Sequence, residues 1–191
     1  MITLQMPPDL TEKLVIALRR AGRREIGGVL VGEHLSTGLF RVVDLSIQRS
    51  GGDYACFVRK PQNHSAFIER FFRRTGNAYE RFNYLGEWHS HPSFEVDPSA
   101  VDVQQMQMIV EEEPNAPFFA ILLVLRLQDD RCLRLSATAF RPTQSPEPVK
   151  LVVATRPRDD PAEETPSWWR RLCGSARPAR VRIIQEGTIP S

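Results

Sequence analysis

The sequence predicts a mixed α/β domain in which helices pack on a β-sheet. Its 191 residues, 41% hydrophobic and 25% charged, suit one globular domain of about 100–200 residues. Segments with apolar residues at helical spacing are interspersed with extended, β-rich runs. One of those runs, Phe118 to Leu127, is apolar except for Arg126, the pattern of a buried central strand.

A short strand opens the chain and a helix follows. Asp9 with Glu12 three residues on reads as a capping box, and Leu10, Leu14, Ala17, Leu18 and Ala21 share one helical face that Gly22 ends. The runs Gly28–Val31 and Phe40–Ile47 flank a Ser36-Thr-Gly38 turn, which predicts a hairpin. Tyr54–Arg59 is expected to add a strand. From Ser65 to about Arg74, Phe67, Ile68, Phe71 and Phe72 form an apolar helical stripe expected in the core. Tyr84–Trp88 reads as a strand running into His89-Ser-His-Pro92. A helix is then expected from Ser99, carrying Val103, Met106, Ile109 and Val110. Asp129-Asp130 turns the chain from the central strand into a partner strand, Cys132–Phe140.

Composition changes after Arg141: eight of the fifteen prolines lie between Pro142 and Pro190, and periodicity fades. The expected division is a compact domain over 1–141 and a proline-rich appendage over 142–191. Within the appendage, Trp168–Leu172 is apolar enough to dock on the domain or on a partner. No internal repeat is found.

A net charge of +2 argues against a dedicated nucleic-acid binder. Only three of the 25 basic residues are lysine (Lys13, Lys60, Lys150), a bias that a GC-rich genome explains. No apolar run approaches the roughly 18–20 residues that span a bilayer, and the N-terminus lacks the basic start and apolar stretch of a signal peptide. Cys56, Cys132 and Cys173 are odd in number and scattered, neither a disulfide framework nor a CxxC zinc knuckle. The expected location is the cytoplasm, without membrane or nucleic-acid partners.

Chemistry concentrates in Glu87–Asp102. His89 and His91 are two apart, so on a strand both rings leave the same face and can converge on one ion. Asp102 falls in the first turn of the following helix, from where a carboxylate can return to the imidazoles. Two neutral nitrogens and a carboxylate, with a fourth position open to water, suit a catalytic zinc. Ser99 and Asp102 equally suit an ordinary helix cap, and two histidines at a strand end can be surface residues. Glu87 shares the face of the histidines; it is expected as a strand-end surface charge, with support of a ligand as the alternative. Trp88 points the opposite way, into the core, and His34 and His64 are expected in solvent. Other HxH proteins fit poorly. No PCxxC follows, as a zinc deaminase requires, and a metal-dependent barrel hydrolase needs about 250 residues. A cupin could use Glu95 but needs a glycine near residue 102 and a histidine after His91; HExxH is absent.

Together with Glu25-Ile-Gly-Gly-Val-Leu-Val-Gly32, this segment resembles the JAMM/MPN family of zinc isopeptidases. The family pattern is an early glutamate, then HxH-Pro, then Ser-x-x-Asp with seven residues between the second histidine and the serine; Pro92–Pro98 supplies those seven. The resemblance implies an MPN-like curved sheet flanked by helices. It further implies that His89, His91 and Asp102 hold Zn2+ with water as fourth ligand. Glu25 then takes a proton from that water and passes it to the leaving amine, and Ser99 hydrogen-bonds the oxyanion or the water. No cysteine need be catalytic. The segment is similar to the bacterial branch, which includes deconjugases of CBASS and ubiquitin-like antiphage operons. The implied partner is a ubiquitin-like or cyclase protein whose C-terminal tail is joined to a lysine, with conjugation-pathway enzymes as further partners. A peptidase that trims a ubiquitin-like precursor, a catalytically silent scaffold and a form held inactive until a partner opens it are the alternatives.

Overall fold

The computed structural model describes residues 1–48, 52–53, 56–57, 62–111, 116–129, 132–154 and 181–186. In chain order the elements are β1 (Thr3–Met6), α1 (Pro8–Ala21), β2 (Gly27–Ser36), β3 (Leu39–Leu45), β4 (Gly52–Asp53), β5 (Cys56–Phe57), α2 (Gln62–Arg74), β6 (Phe82–Ser90), α3 (Ala100–Glu111), β7 (Ala120–Gln128), β8 (Cys132–Phe140), β9 (Glu147–Pro148), β10 (Lys150–Val153) and β11 (Arg182–Gln185). One mixed sheet runs β10-β1-β3-β2-β6-β7-β8-β11, with β9 beside β8; β4 and β5 pair separately.

Strand alternation divides the core between the two faces of this sheet. Along β7, Ile121, Leu123 and Leu125 join a cluster with Leu10, Leu14, Ala17 and Leu18 of α1 and with Trp88. Ala120, Leu122 and Val124 join a second cluster with Met106, Ile109 and Val110 of α3. The expected helix faces and the central position of the Phe118–Leu127 run are therefore present. The strand itself starts at Ala120, and Phe118 is 95% exposed.

The ends of the sheet order meet. Glu147 and Pro148 pair with β8, and the Val149 N–H donates to the Ala137 carbonyl at 2.9 Å. The next residue, Lys150, donates to the Ile2 carbonyl at 2.9 Å and starts the parallel pairing of β10 with β1. A chain that crosses so quickly from one end of the order to the other requires a sheet curled almost closed. The Gln185 carboxamide of β11, oriented to satisfy both of its ends, meets the Leu151 N–H and carbonyl of β10 at 3.0 Å each. The sheet thus extends beyond Arg141, and the division expected there does not coincide with its limit. Short parallel strands carry no periodicity by which to be found. Trp168–Leu172 lies outside the described residues.

Other details depart from expectation. Pro7 occupies the N-cap of α1 with no side-chain cap, so the Asp9–Glu12 capping box does not form; proline at the first helical position starts the helix instead. Gly22 (φ +62°) ends it, donating to the Leu18 carbonyl at 3.0 Å. Of the α2 stripe, only Phe71 is fully buried; Phe67, Ile68 and Phe72 are half-buried. Of the expected Tyr54–Arg59 strand, Cys56–Phe57 are described, paired with β4. His64 is buried, not solvent-exposed: its Nδ1 meets the Ser46 hydroxyl at 2.8 Å and its Nε2 meets the Gln48 Oε1 at 3.0 Å. His34 is exposed and stacks on Phe40.

A bulge in β6 orients the residues that matter later. Leu30 pairs with Gly86 but Val31 with Tyr84, so Leu85 is the extra residue. Leu85 turns into the α1-side cluster, whereas Tyr84 packs on the α3-side one. Gly86 makes this possible, for at φ +143° a Cβ there would lie 1.9 Å from the Ile121 carbonyl oxygen.

Glu33 closes the far end of β2. Arg41 from β3 and Arg81 both bind its carboxylate, the Arg81 Nε at 2.7 Å, and the glutamate is buried. The Arg41 hydrogen bond holds this carboxyl below the ordinary value of 4.5; burial opposes the shift and Arg81 adds to it. A depressed folded-state pKa stabilises the fold above the unfolded value, and the contribution is lost as pH falls through 4.5 towards the folded pKa. Glu33→Gln is expected to lower stability by about 1 kcal/mol near neutral pH. The gap between wild type and variant should narrow in acid, which thermal melts across that range would show; a constant gap would exclude ionisation as the source.

Candidate metal centre

The register of β6 with β7 sets the site. Glu87 pairs with Leu122, Trp88 with Leu123 and His89 with Val124. Glu87 and His89 therefore face α3, while Trp88, fully buried, faces α1 and donates its indole N–H to the Ser46 carbonyl at 2.9 Å. The His91 N–H donates to the Leu125 carbonyl at 2.8 Å, which carries the ladder one step beyond β6 and keeps both rings on one side.

Asp102 comes from the first turn of α3. Ser99 is the residue before that helix, and its hydroxyl accepts the Asp102 N–H at 3.2 Å; the Asp102 Oδ2 in turn accepts the Ser99 N–H and O–H, each at 2.7 Å. This is a reciprocal cap, so the capping reading of Ser-x-x-Asp holds, and the same cap presents the carboxylate to the two imidazoles. It fixes a carboxylate whose Oδ1 lies 3.5 Å from the His89 Nε2 and whose Oδ2 lies 3.7 Å from the His91 Nε2; the two Nε2 atoms are 3.0 Å apart. Tetrahedral ligands at 2.0–2.1 Å from zinc stand about 3.3 Å from one another; the two nitrogens are near that spacing, each has a different Asp102 oxygen near it, and one donor atom from each residue lies within 4.8 Å of the others.

Protonation favours the same reading. The His91 Nδ1 lies 2.8 Å from the Glu95 carbonyl, so it carries the ring proton and leaves the Nε2 lone pair facing Asp102. Burial lowers the His91 pKa, which keeps the ring neutral. Burial also opposes ionisation of Asp102. Hydrogen bonding from His89 and then from Ser99 outweighs that and holds its carboxyl well below the usual carboxylate range, a stabilisation that a bound cation would supply in place of the His89 proton. Two imidazole nitrogens and a carboxylate converging as electron-pair donors fit a metal cation. Among the described residues no other His, Cys, Asp and Glu group does so.

Glu25 lies two residues before β2. Gly27 pairs with His89; the Ser90 N–H donates to the Ile26 carbonyl at 2.8 Å and the Ile26 N–H donates to the Ser90 Oγ at 3.0 Å. Glu25 accordingly stands opposite His91. It is 5% exposed and senses the charge of both His89 and Asp102. Burial raises its pKa, His89 lowers it and Asp102 raises it; the net shift is upward, towards the range of a general base. Sequence reasoning missed Ser90. Its signal was a small hydroxyl residue between two candidate ligands, on the opposite face of the strand from the two rings.

Glu87 corrects another expectation. It is buried, not a surface charge, and accepts the Tyr84 hydroxyl at 3.4 Å. Ser99 is exposed, and its single hydroxyl proton is given to Asp102. Ser99→Ala should cost about 1 kcal/mol as a lost cap and weaken metal binding by about tenfold as a lost outer partner. A melt and a chelator competition check the two halves separately.

A sheet curled over α1, with a His-His-Asp centre on its α3 side, defines a class. The chain belongs to the family of prokaryotic homologues of the JAB domain, whose model matches residues 7–136. Among curated proteins it is similar to a Vibrio cholerae CD-NTase/cGAS isopeptidase, 38% identical over 80 residues, which span 41% of this chain and 49% of the relative. The chain thus spans about half the length of that relative. A Desulfitobacterium hafniense protein, known from a solution structure, shares the fold with a TM-score of 0.59 at 16% identity, over 81% of this chain and 95% of that one. A JAB1/MPN domain protein from Archaeoglobus fulgidus is 14% identical over 78% of this chain and 98% of its own, but its TM-score of 0.41 is too low to carry weight.

Proposed function

We propose that this chain is a zinc isopeptidase that releases a protein's C-terminal tail from a lysine amine. One observation carries the reading: His89, His91 and Asp102 converge at metal-ligand spacing beside a buried glutamate, Glu25, with a raised pKa. Membership of the JAB family and the similarity to an isopeptidase support it.

His89, His91 and Asp102 would hold zinc, which would supply the Lewis acidity that makes water nucleophilic near neutral pH. Glu25 accepts the proton of the attacking water on its carboxylate and delivers it to the lysine Nζ as the C–N bond breaks. Burial of Glu25 strengthens it as a base and keeps that proton from bulk water. Ser99 reaches the substrate oxygen only when its hydroxyl turns from Asp102; otherwise its role is to hold that ligand. Both halves of the reaction proceed without a covalent acyl-enzyme, so no cysteine takes part.

By similarity to the V. cholerae CD-NTase/cGAS isopeptidase, the substrate is a conjugated cyclase-type protein; the resemblance read in the sequence adds a ubiquitin-like protein as the other candidate, linkage through its C-terminal tail and a place in bacterial antiviral defence. The enzymes of that conjugation are the natural partners, and the cytoplasm is the natural location. The test is hydrolysis of paired model substrates by the zinc-loaded protein: one tail linked through lysine Nζ and the same tail in a linear fusion. Cleavage of the lysine-linked substrate is expected. Cleavage of the linear one alone would make the protein a processing peptidase, and cleavage of neither, with zinc bound, would favour a scaffold.

A further inference from the structure

The loop between the second histidine and Ser99 is held by three consecutive carbonyls. The Phe94 carbonyl accepts from the Arg126 Nη1 at 3.2 Å, the Glu95 carbonyl from the His91 Nδ1 at 2.8 Å, and the Val96 carbonyl from the Ser136 hydroxyl. The middle one sets which nitrogen of His91 carries the proton, and so which one faces Asp102. Its own residue is tied down a second time through its side chain. The Glu95 carboxylate meets the Arg134 Nη2 at 3.0 Å and the Arg126 Nη1 at 3.6 Å. Arg134, on β8, also binds Glu186, the residue that follows β11 and whose N–H donates to the Leu135 carbonyl at 2.8 Å.

The geometry points to a positioning device that runs from the C-terminal strand to the metal centre: Glu186, through Arg134 and Glu95, fixes the carbonyl that holds the His91 ring. Glu186 lies beyond residues 7–136, the stretch matched by the family model. The support of His91 is therefore completed by a strand outside that stretch. Arg134 is the pivot, because one guanidinium serves two carboxylates, a task for its planar fork that a lysine ammonium performs poorly. Glu95 is largely exposed and Arg134 and Glu186 are partly so, and ion pairs of that kind contribute little to global stability. Their effect falls on ring orientation, through the Glu95 carbonyl, the partner of His91 whose loss would commonly change affinity about tenfold or more.

The inference rests on the proposed metal reading for affinity, but not for the state of the ring. The experiment therefore uses the full chain in two forms: metal-free and 15N-labelled for the imidazole nitrogen shifts, and titrated with zinc against a chelator. Wild type is expected to show His91 protonated at Nδ1 and bare at Nε2. In Glu186→Gln and Arg134→Met the two shifts should move towards each other as the proton redistributes. Zinc affinity should drop several-fold, less than the roughly tenfold of losing the direct partner, with the melting temperature moving by no more than about 2 °C. Arg134→Lys should fall between. Unchanged His91 shifts in Glu186→Gln overturn the inference, and that variant decides the matter if Arg134→Met does not fold. Shifted nitrogens in the two variants, together with a wild type that binds no zinc, would uphold the device and refute the metal reading.

Discussion

Glu25→Gln is expected to lower hydrolysis by about 10²–10⁴-fold, the range for removing a positioned general base, while zinc stoichiometry and fold are kept. Glutamine preserves the shape of a side chain that is 5% exposed, and the Ile26–Ser90 hydrogen bonds that place the segment are made by its neighbour. Burial penalises the charge of Glu25, so neutralising it does not weaken the fold. The check is turnover and metal content on the same preparation. Activity within about tenfold of wild type would contradict the assignment, and attention would pass to Glu87, the buried carboxylate two residues before His89.

His91→Ala is expected to abolish activity by a different route. It removes the donor that faces Asp102 and frees the Glu95 carbonyl, so affinity for zinc should fall by more than about a hundredfold, beyond the usual loss from an outer partner. The unpaired carbonyl adds a destabilisation of about 1–2 kcal/mol. Excess zinc should restore little turnover to His91→Ala and none to Glu25→Gln. Full restoration of His91→Ala would place this histidine outside the ligand set.

How much of this was legible in the sequence depended on the distance over which the physics acts. His89-Ser-His91 was readable because alternation along a strand is local. Asp102 was readable because the helix cap that fixes it spans three residues. The bulge at Leu85 was not: alternation counted back from His89 puts Leu85 on the site face, whereas it packs on the other. Gly86 was the local sign, a glycine inside a strand pattern. His64 looked exposed because its partners, Ser46 and Gln48, belong to another segment. The Arg134–Glu186 pair joins residues 52 apart, through a four-residue strand too short to show a period.

The measurement that bears most directly on the central claim is the metal content of the purified protein by elemental mass spectrometry, with His91→Ala alongside. About one zinc per chain in the wild type, absent from His91→Ala, is the expected result. No metal in the wild type, even after zinc is supplied, would contradict the account.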